Sequence, residues 1–95
     1  MGKADAIIVS CGEVLDISRV GEFYSELNMI LNEEKPVQVD ISKLDRIDIA
    51  GIQLLLSFSE KVNSLGLGFQ WSAPSESLLR AVKLVGLAEQ LGFSE

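Results

Sequence analysis

The sequence contains no histidine. That absence removes histidine-based catalytic triads and histidine metal sites together. Cysteine is scarce too. Cys11 stands alone, cannot form an internal disulfide, and fits a reducing cytoplasm. Without a histidine to activate it, Cys11 at a strand end reads as a small packed residue rather than a nucleophile. No stretch approaches about 18 uninterrupted apolar residues, so no membrane-inserted span is expected. Neither Gly-x-x-x-x-Gly-Lys-(Ser/Thr) nor Gly-x-Gly-x-x-Gly occurs, and Gly66-x-Gly68 reads as a turn. Basic clusters are missing as well: eight Lys and Arg are scattered along a chain of net charge -6. A nucleic-acid partner needs a concentrated cationic footprint, so none is expected. Residues 1–5 lack a signal peptide's apolar region, and Ala6 stands where an acylation signal at Gly2 would want Ser or Thr.

What is present suits one compact α/β domain over 1–95. The 95 residues are 47% apolar, enough for one core. Ala6 to Ser10 is a short β-rich run, and Val14-Leu15 resumes it beyond a turn at Cys11-Gly12-Glu13. That turn predicts a small hairpin. Ser18 starts a helix, with Asp16 the alternative cap. Val20, Phe23, Tyr24, Leu27, Ile30 and Leu31 recur at three and four residues and form its buried stripe. Both aromatics are expected in the core, the Tyr24 hydroxyl at its boundary. Pro36 prevents the helix from continuing.

Pro36 to Ile41 alternates as a strand. After a short loop, Asp48 caps an apolar helix that runs to about Leu65, with Gly66 as its stop. Gly51 falls in the first turn, where it serves either close backbone approach or access for something landing on the helix end. Leu54, Phe58 and Leu65 widen the apolar arc to roughly 200°. Leu54 and Phe58 therefore pack against neighbouring helices, or else belong to a partner surface that leaves a homodimer open. Gln53, Ser57, Glu60, Lys61 and Ser64 form the wet face. Leu67 to Trp71 is a last strand. Ser75 caps a third helix with Leu78, Leu79, Val82 and Val85 inward, and Leu87 to Leu91 adds a final turn above Trp71. Alternating strands and helices argue parallel crossovers, and the hairpin lead-in makes the sheet mixed.

The central stretch carries a resemblance. Asp40-Ile-Ser42-Lys-Leu44-Asp-Arg-Ile47-Asp48-Ile49-Ala50-Gly51-Ile52 looks like the signature of STAS domains, the sulfate transporter and anti-sigma factor antagonist family. Leu15-Asp16-Ile17 and the Val85-Gly86-Leu87 ending are similar to the family's flanks. The resemblance implies a mixed four-stranded sheet with three to four helices. It also implies a bacterial, cytoplasmic, non-catalytic module without cofactor, working in signal transduction or transcription regulation. The implied docking surface is Asp16, Asp48, Ile49, Ala50, Gly51 and Ile52. Phosphorylated relatives carry Ser or Thr between the Asp and the Gly. Here Ile49 and Ala50 occupy those positions, so no phosphoacceptor is expected there, and Ser18 and Ser42 do not match the family position.

Ile49 either opens an apolar docking patch with Ala50 and Ile52 or folds inward. Asp40, Asp45 and Asp48 cluster near the strand end and read as a solvated loop plus a cap, with a divalent cation the other reading. The resemblance leaves several partners open. The first is a histidine-kinase-like serine kinase acting as an anti-sigma factor. Others are the ABC ATPase of a phospholipid-transport complex and a chemotaxis-cluster protein. A nucleotide or lipid ligand is a further class.

Overall fold

The computed structural model describes residues 6–93. Residues 1–5, read above for leader and acylation signals, lie outside them. Strand β1 spans Ile7–Ser10 and β2 Val14–Leu15; helix α1 spans Ile17–Leu31. Next come β3 (Val37–Asp40), β4 (Arg46–Ile47) and α2 (Ile49–Ser64). The chain closes with β5 (Phe69–Trp71), α3 (Glu76–Leu84) and α4 (Ala88–Leu91). Among the described residues the fold is α/β with four helices, as the resemblance implied.

The sheets correct the expectation in detail. In place of one mixed four-stranded sheet there is a parallel sheet of order β1-β3-β5 and a parallel pair β2-β4. No hairpin forms at residues 11–13, because the chain steps sideways there and does not reverse. Gly12 adopts φ +72°, and its N–H donates to the Ser10 hydroxyl at 3.0 Å. The Cys11 N–H still donates to the Asp40 carbonyl, while the Glu13 carbonyl accepts from Asp45 and Arg46. The two segments shift across together, so each pair keeps its direction. Helices α1 and α2 supply the crossovers that parallel pairing requires.

The three longer helices each start on a side-chain cap. Asp16 caps α1, Asp48 caps α2 and Ser75 caps α3, each accepting from a first-turn N–H. Asp16, rather than Ser18, is the α1 cap. Ser75 also donates to the Leu44 carbonyl, which holds α3 against the loop after β3. Leu15, Phe23, Leu27, Val39, Ile41, Leu44, Leu55, Val62, Leu78 and Val82 form the core. Phe58 is buried and Leu54 half-buried against that core, so both pack as expected, while Leu54 keeps part of its side chain at the surface. Trp71 donates to the Leu91 carbonyl at 2.9 Å and stacks tilted on Phe93, pinning α4 as expected.

Two apolar stripes are narrower than their periodicity suggested. Tyr24 is 56% exposed, not core, because it stands at the edge of the α1–α2 contact. Val85 is 45% exposed because it lies past the last turn of α3, as that helix's C-cap.

Candidate functional site

The site begins with one carboxylate that serves two helices. Asp48 is extended (φ -117°, ψ -176°), as an N-cap must be. Its Oδ1 accepts from the Gly51 N–H at 3.0 Å. Its Oδ2 accepts from the Ile17 N–H, also at 3.0 Å. Ile17 opens α1, so the starts of α1 and α2 are tied side by side. Asp16 completes the pair, its Oδ1 accepting from the Ser18 N–H at 3.1 Å and the Ser18 hydroxyl at 2.6 Å. The Ser18 hydroxyl bond is the largest influence holding the Asp16 carboxyl below its usual range.

Gly51 answers the question its position raised. A Cβ there would land on the Leu15 carbonyl oxygen, with Ile47 Cγ1 at 2.9 Å and Leu15 Cγ at 3.1 Å. The residue is buried, and its lack of a side chain lets α2 start directly over β2. Close backbone approach is therefore its role.

The six residues implied as a docking surface do not all reach the surface. Ile49 is 51% exposed, which settles its direction as outward. Ala50, Asp16 and Asp48 are half-buried. Gly51 is buried and Ile52 is 1% exposed, so Ile52 leaves the expected patch and joins the core. Ile52 falls on the sheet-facing side of α2, in the arc of Leu55, Ser59 and Val62, all buried. Ile17, which the motif does not single out, takes its place. It is 70% exposed as the first residue of α1. No sequence signal marked it: Ile17 lies three residues before Val20 and continues the periodicity of the buried stripe, and it is exposed because it opens the helix.

The other acids have local duties. Asp40 Oδ1 accepts from the Ser42 N–H at 3.0 Å, the Ser42 hydroxyl at 2.7 Å and the Ser72 hydroxyl at 3.0 Å. These bonds, Ser42's first, hold its carboxyl below the usual range. Ser72 in turn accepts from the Ile41 N–H at 2.8 Å, joining the ends of β3 and β5. Among the described residues no group of three or more Cys, Asp or Glu is placed to hold a metal ion. Nor is any helix among them long and apolar enough to cross a membrane. Cys11 is fully buried, and burial pushes its thiol up to about 12.

Fold and motif together define a STAS-type module. A family model described as "Mlab, STAS domain" matches residues 2–92, and the chain belongs to the STAS domain family. Among solved structures, a sulfate transporter family protein from Wolinella succinogenes is similar at TM-score 0.73 and 22% identity. That match covers 92% of this chain and 71% of the other. A protein described as Mglu is similar at TM-score 0.66 and 16% identity, over 80% of this chain. This chain spans only 19% of that protein's length. At such identities the likeness is one of fold. No curated protein sequence matches the chain significantly.

Proposed function

We propose that this chain is a non-catalytic protein-interaction module of the anti-sigma factor antagonist type, working in the cytoplasm. It docks through the paired starts of α1 and α2. The observation that carries the reading is the exposure of Ile49, the first residue of α2, next to a helix opened by an exposed Ile17. Two large apolar side chains left in water at adjoining helix starts favour a partner that covers them.

The resemblance places a switchable hydroxyl at position 49 or 50 in phosphorylated relatives. A phosphate there adds about -1.5 to -2 charges at neutral pH to the docking surface. Ile49 and Ala50 cannot take one, so docking here is constitutive. Asp48 and Gly51 hold the patch in place from below, and Asp16 frames it. The partner on this reading is a histidine-kinase-like serine kinase, and the net charge of -6 favours a basic rim on it. A second reading has the same surface docking on a transport ATPase. Its support is that the same fold occurs in a sulfate transporter family protein from Wolinella succinogenes, which favours a transport setting; the ATPase itself is what the family resemblance implies.

The test is capture from native lysate by wild type, Ile49→Asp and Ile49→Thr, with partners identified by mass spectrometry and folding checked by circular dichroism. The reading expects a kinase-like partner, or an ATPase on the second reading, lost with folded Ile49→Asp. Unchanged partners in that variant overturn it.

A further inference from the structure

We propose that the cleft between α1 and α2 is a binding site for a free medium-chain fatty acid. The cleft has a volume of about 200 Å³. Its floor is made by Leu27 and Phe58, both buried, with Leu31 and Leu54 half-buried at the sides. Tyr24 stands at the rim, which is why this aromatic lies outside the core. A hollow lined in this way leaves apolar atoms without contacts on one side, and an aliphatic chain supplies them.

The charge pattern selects the head group. Among the described residues Lys61 is the one charged residue lining the cleft, and no acidic side chain shares it. In a chain of net charge -6, a lysine facing an acid-free apolar hollow is an unusual local sign. Among the described residues no carboxylate lies within ion-pair distance of its ammonium group. A carboxylate at the mouth pairs with Lys61 while the tail lies on the leucines. A cation or a neutral alcohol of the same length lacks that pairing. Length is set by the α1 wall, which runs from Tyr24 to Leu31, about 10 Å at the helical rise and the length of roughly eight extended carbons.

Only the charged end of the cleft is remote from the docking patch: Lys61 lies twelve positions along α2 from Ile49, about 18 Å, whereas Leu54 and Tyr24 also border the hollow that contains Ala50. Lys61 variants therefore test ligand binding without touching residues 17, 49 and 50, and Ile49 variants test docking without touching the cleft lining.

Octanoate and octylamine, each below its micellar concentration, and octanol below its solubility limit are titrated into the protein by calorimetry and by amide chemical-shift mapping. Expected are octanoate binding with shifts confined to α1 and α2, and at least fivefold weaker binding of octanol and octylamine. Lys61 is exposed, so its variants keep the fold. Lys61→Met is expected to weaken octanoate about fivefold, the scale of an exposed ion pair, and Lys61→Glu to abolish it. Leu54→Trp, which fills the hollow, also abolishes binding. Equal binding of the three probes, octanoate affinity unchanged in Lys61→Glu, or no saturation by millimolar octanoate overturns the proposal. So does concentration-dependent dimerisation lost in Lys61→Glu, which would mean that a second copy covers the cleft.

Discussion

Gly51→Ala sets two physical effects against each other, and the structure decides which wins. In a helix interior alanine is favoured over glycine by about 1 kcal/mol. At position 51 the added methyl meets the Leu15 carbonyl oxygen, with Ile47 Cγ1 at 2.9 Å and Leu15 Cγ at 3.1 Å. A flexible side chain could swing away, but a backbone carbonyl in β2 cannot. Leu15 is held in register with Ile47 by the β2–β4 pair, so relief requires the start of α2 to lift off. Overpacking costs about 1–3 kcal/mol, and a backbone obstacle puts this case at the upper end. After the propensity gain the net loss is about 2 kcal/mol. For a domain of this size that lowers Tm by roughly 8–16 °C. Gly21→Ala supplies the control. Gly21 is exposed in α1, and a methyl added there would meet nothing within 4 Å. It is expected to gain about 0.5–1 kcal/mol. Thermal and urea melts followed by circular dichroism read both. The reasoning is refuted if Gly51→Ala melts at or above wild type while Gly21→Ala behaves as expected.

Asp48→Ala removes a cap from α2 and an acceptor from the Ile17 N–H, and should cost about 2–3 kcal/mol. Asp48→Asn keeps one acceptor oxygen and should cost clearly less; equal melts for the two would sink the double role. Asp16 and Asp40 have depressed folded pKa values, so the stability they lend is present above the unfolded value and lost as pH falls through the folded one. Stability should therefore decline as pH drops below about 4. Ser42→Ala should flatten that decline and move Asp40 up towards its ordinary range in a carboxyl carbon NMR titration, and an unmoved titration contradicts the assigned cause. Cys11, buried and with its thiol pushed up to about 12, should react with a thiol reagent at mild alkaline pH only as fast as the protein opens. Rapid stoichiometric labelling of the native protein would show otherwise.

Local signals were legible in the sequence, and pairing was not. Asp48 and Ser75 announced their helices because a cap acts on N–H groups two or three residues away. The α2 wet face was readable because Gln53, Ser57, Glu60, Lys61 and Ser64 share one side, and all five are exposed. Strand partners are chosen far along the chain, so residues 11–13 looked like a hairpin turn when they are a sideways step. The two-residue β4 is too short to leave a periodic signal. At the site, the tie from Asp48 to Ile17 spans 31 residues and has no sequence signature. Period alone also overfilled the core with Tyr24, because a helix stripe marks one side of a helix without saying where its neighbour ends.

The motif itself divides by physical duty. Asp40 ties β3 to Ser42 and Ser72. Leu44 and Ile52 are core, and Ile47 packs against it. Asp48 joins two helix starts, and Gly51 admits the Leu15 carbonyl. Each of these is accounted for by folding alone. Their pattern therefore specifies the architecture and says little about the partner. Positions 49 and 50 escape that demand: they sit between the cap and the glycine, facing outward or half-outward, at a helix end whose geometry the other residues have already fixed. Changes there alter what the surface offers without disturbing how it is held. On the docking proposal, a hydroxyl there would make the surface switchable, whereas isoleucine and alanine would make it apolar and permanent. Ile17, tied to the start of α2 by Asp48, would enlarge that patch, so the proposal expects partner binding to vary with residues 17, 49 and 50 while the rest of the motif governs stability.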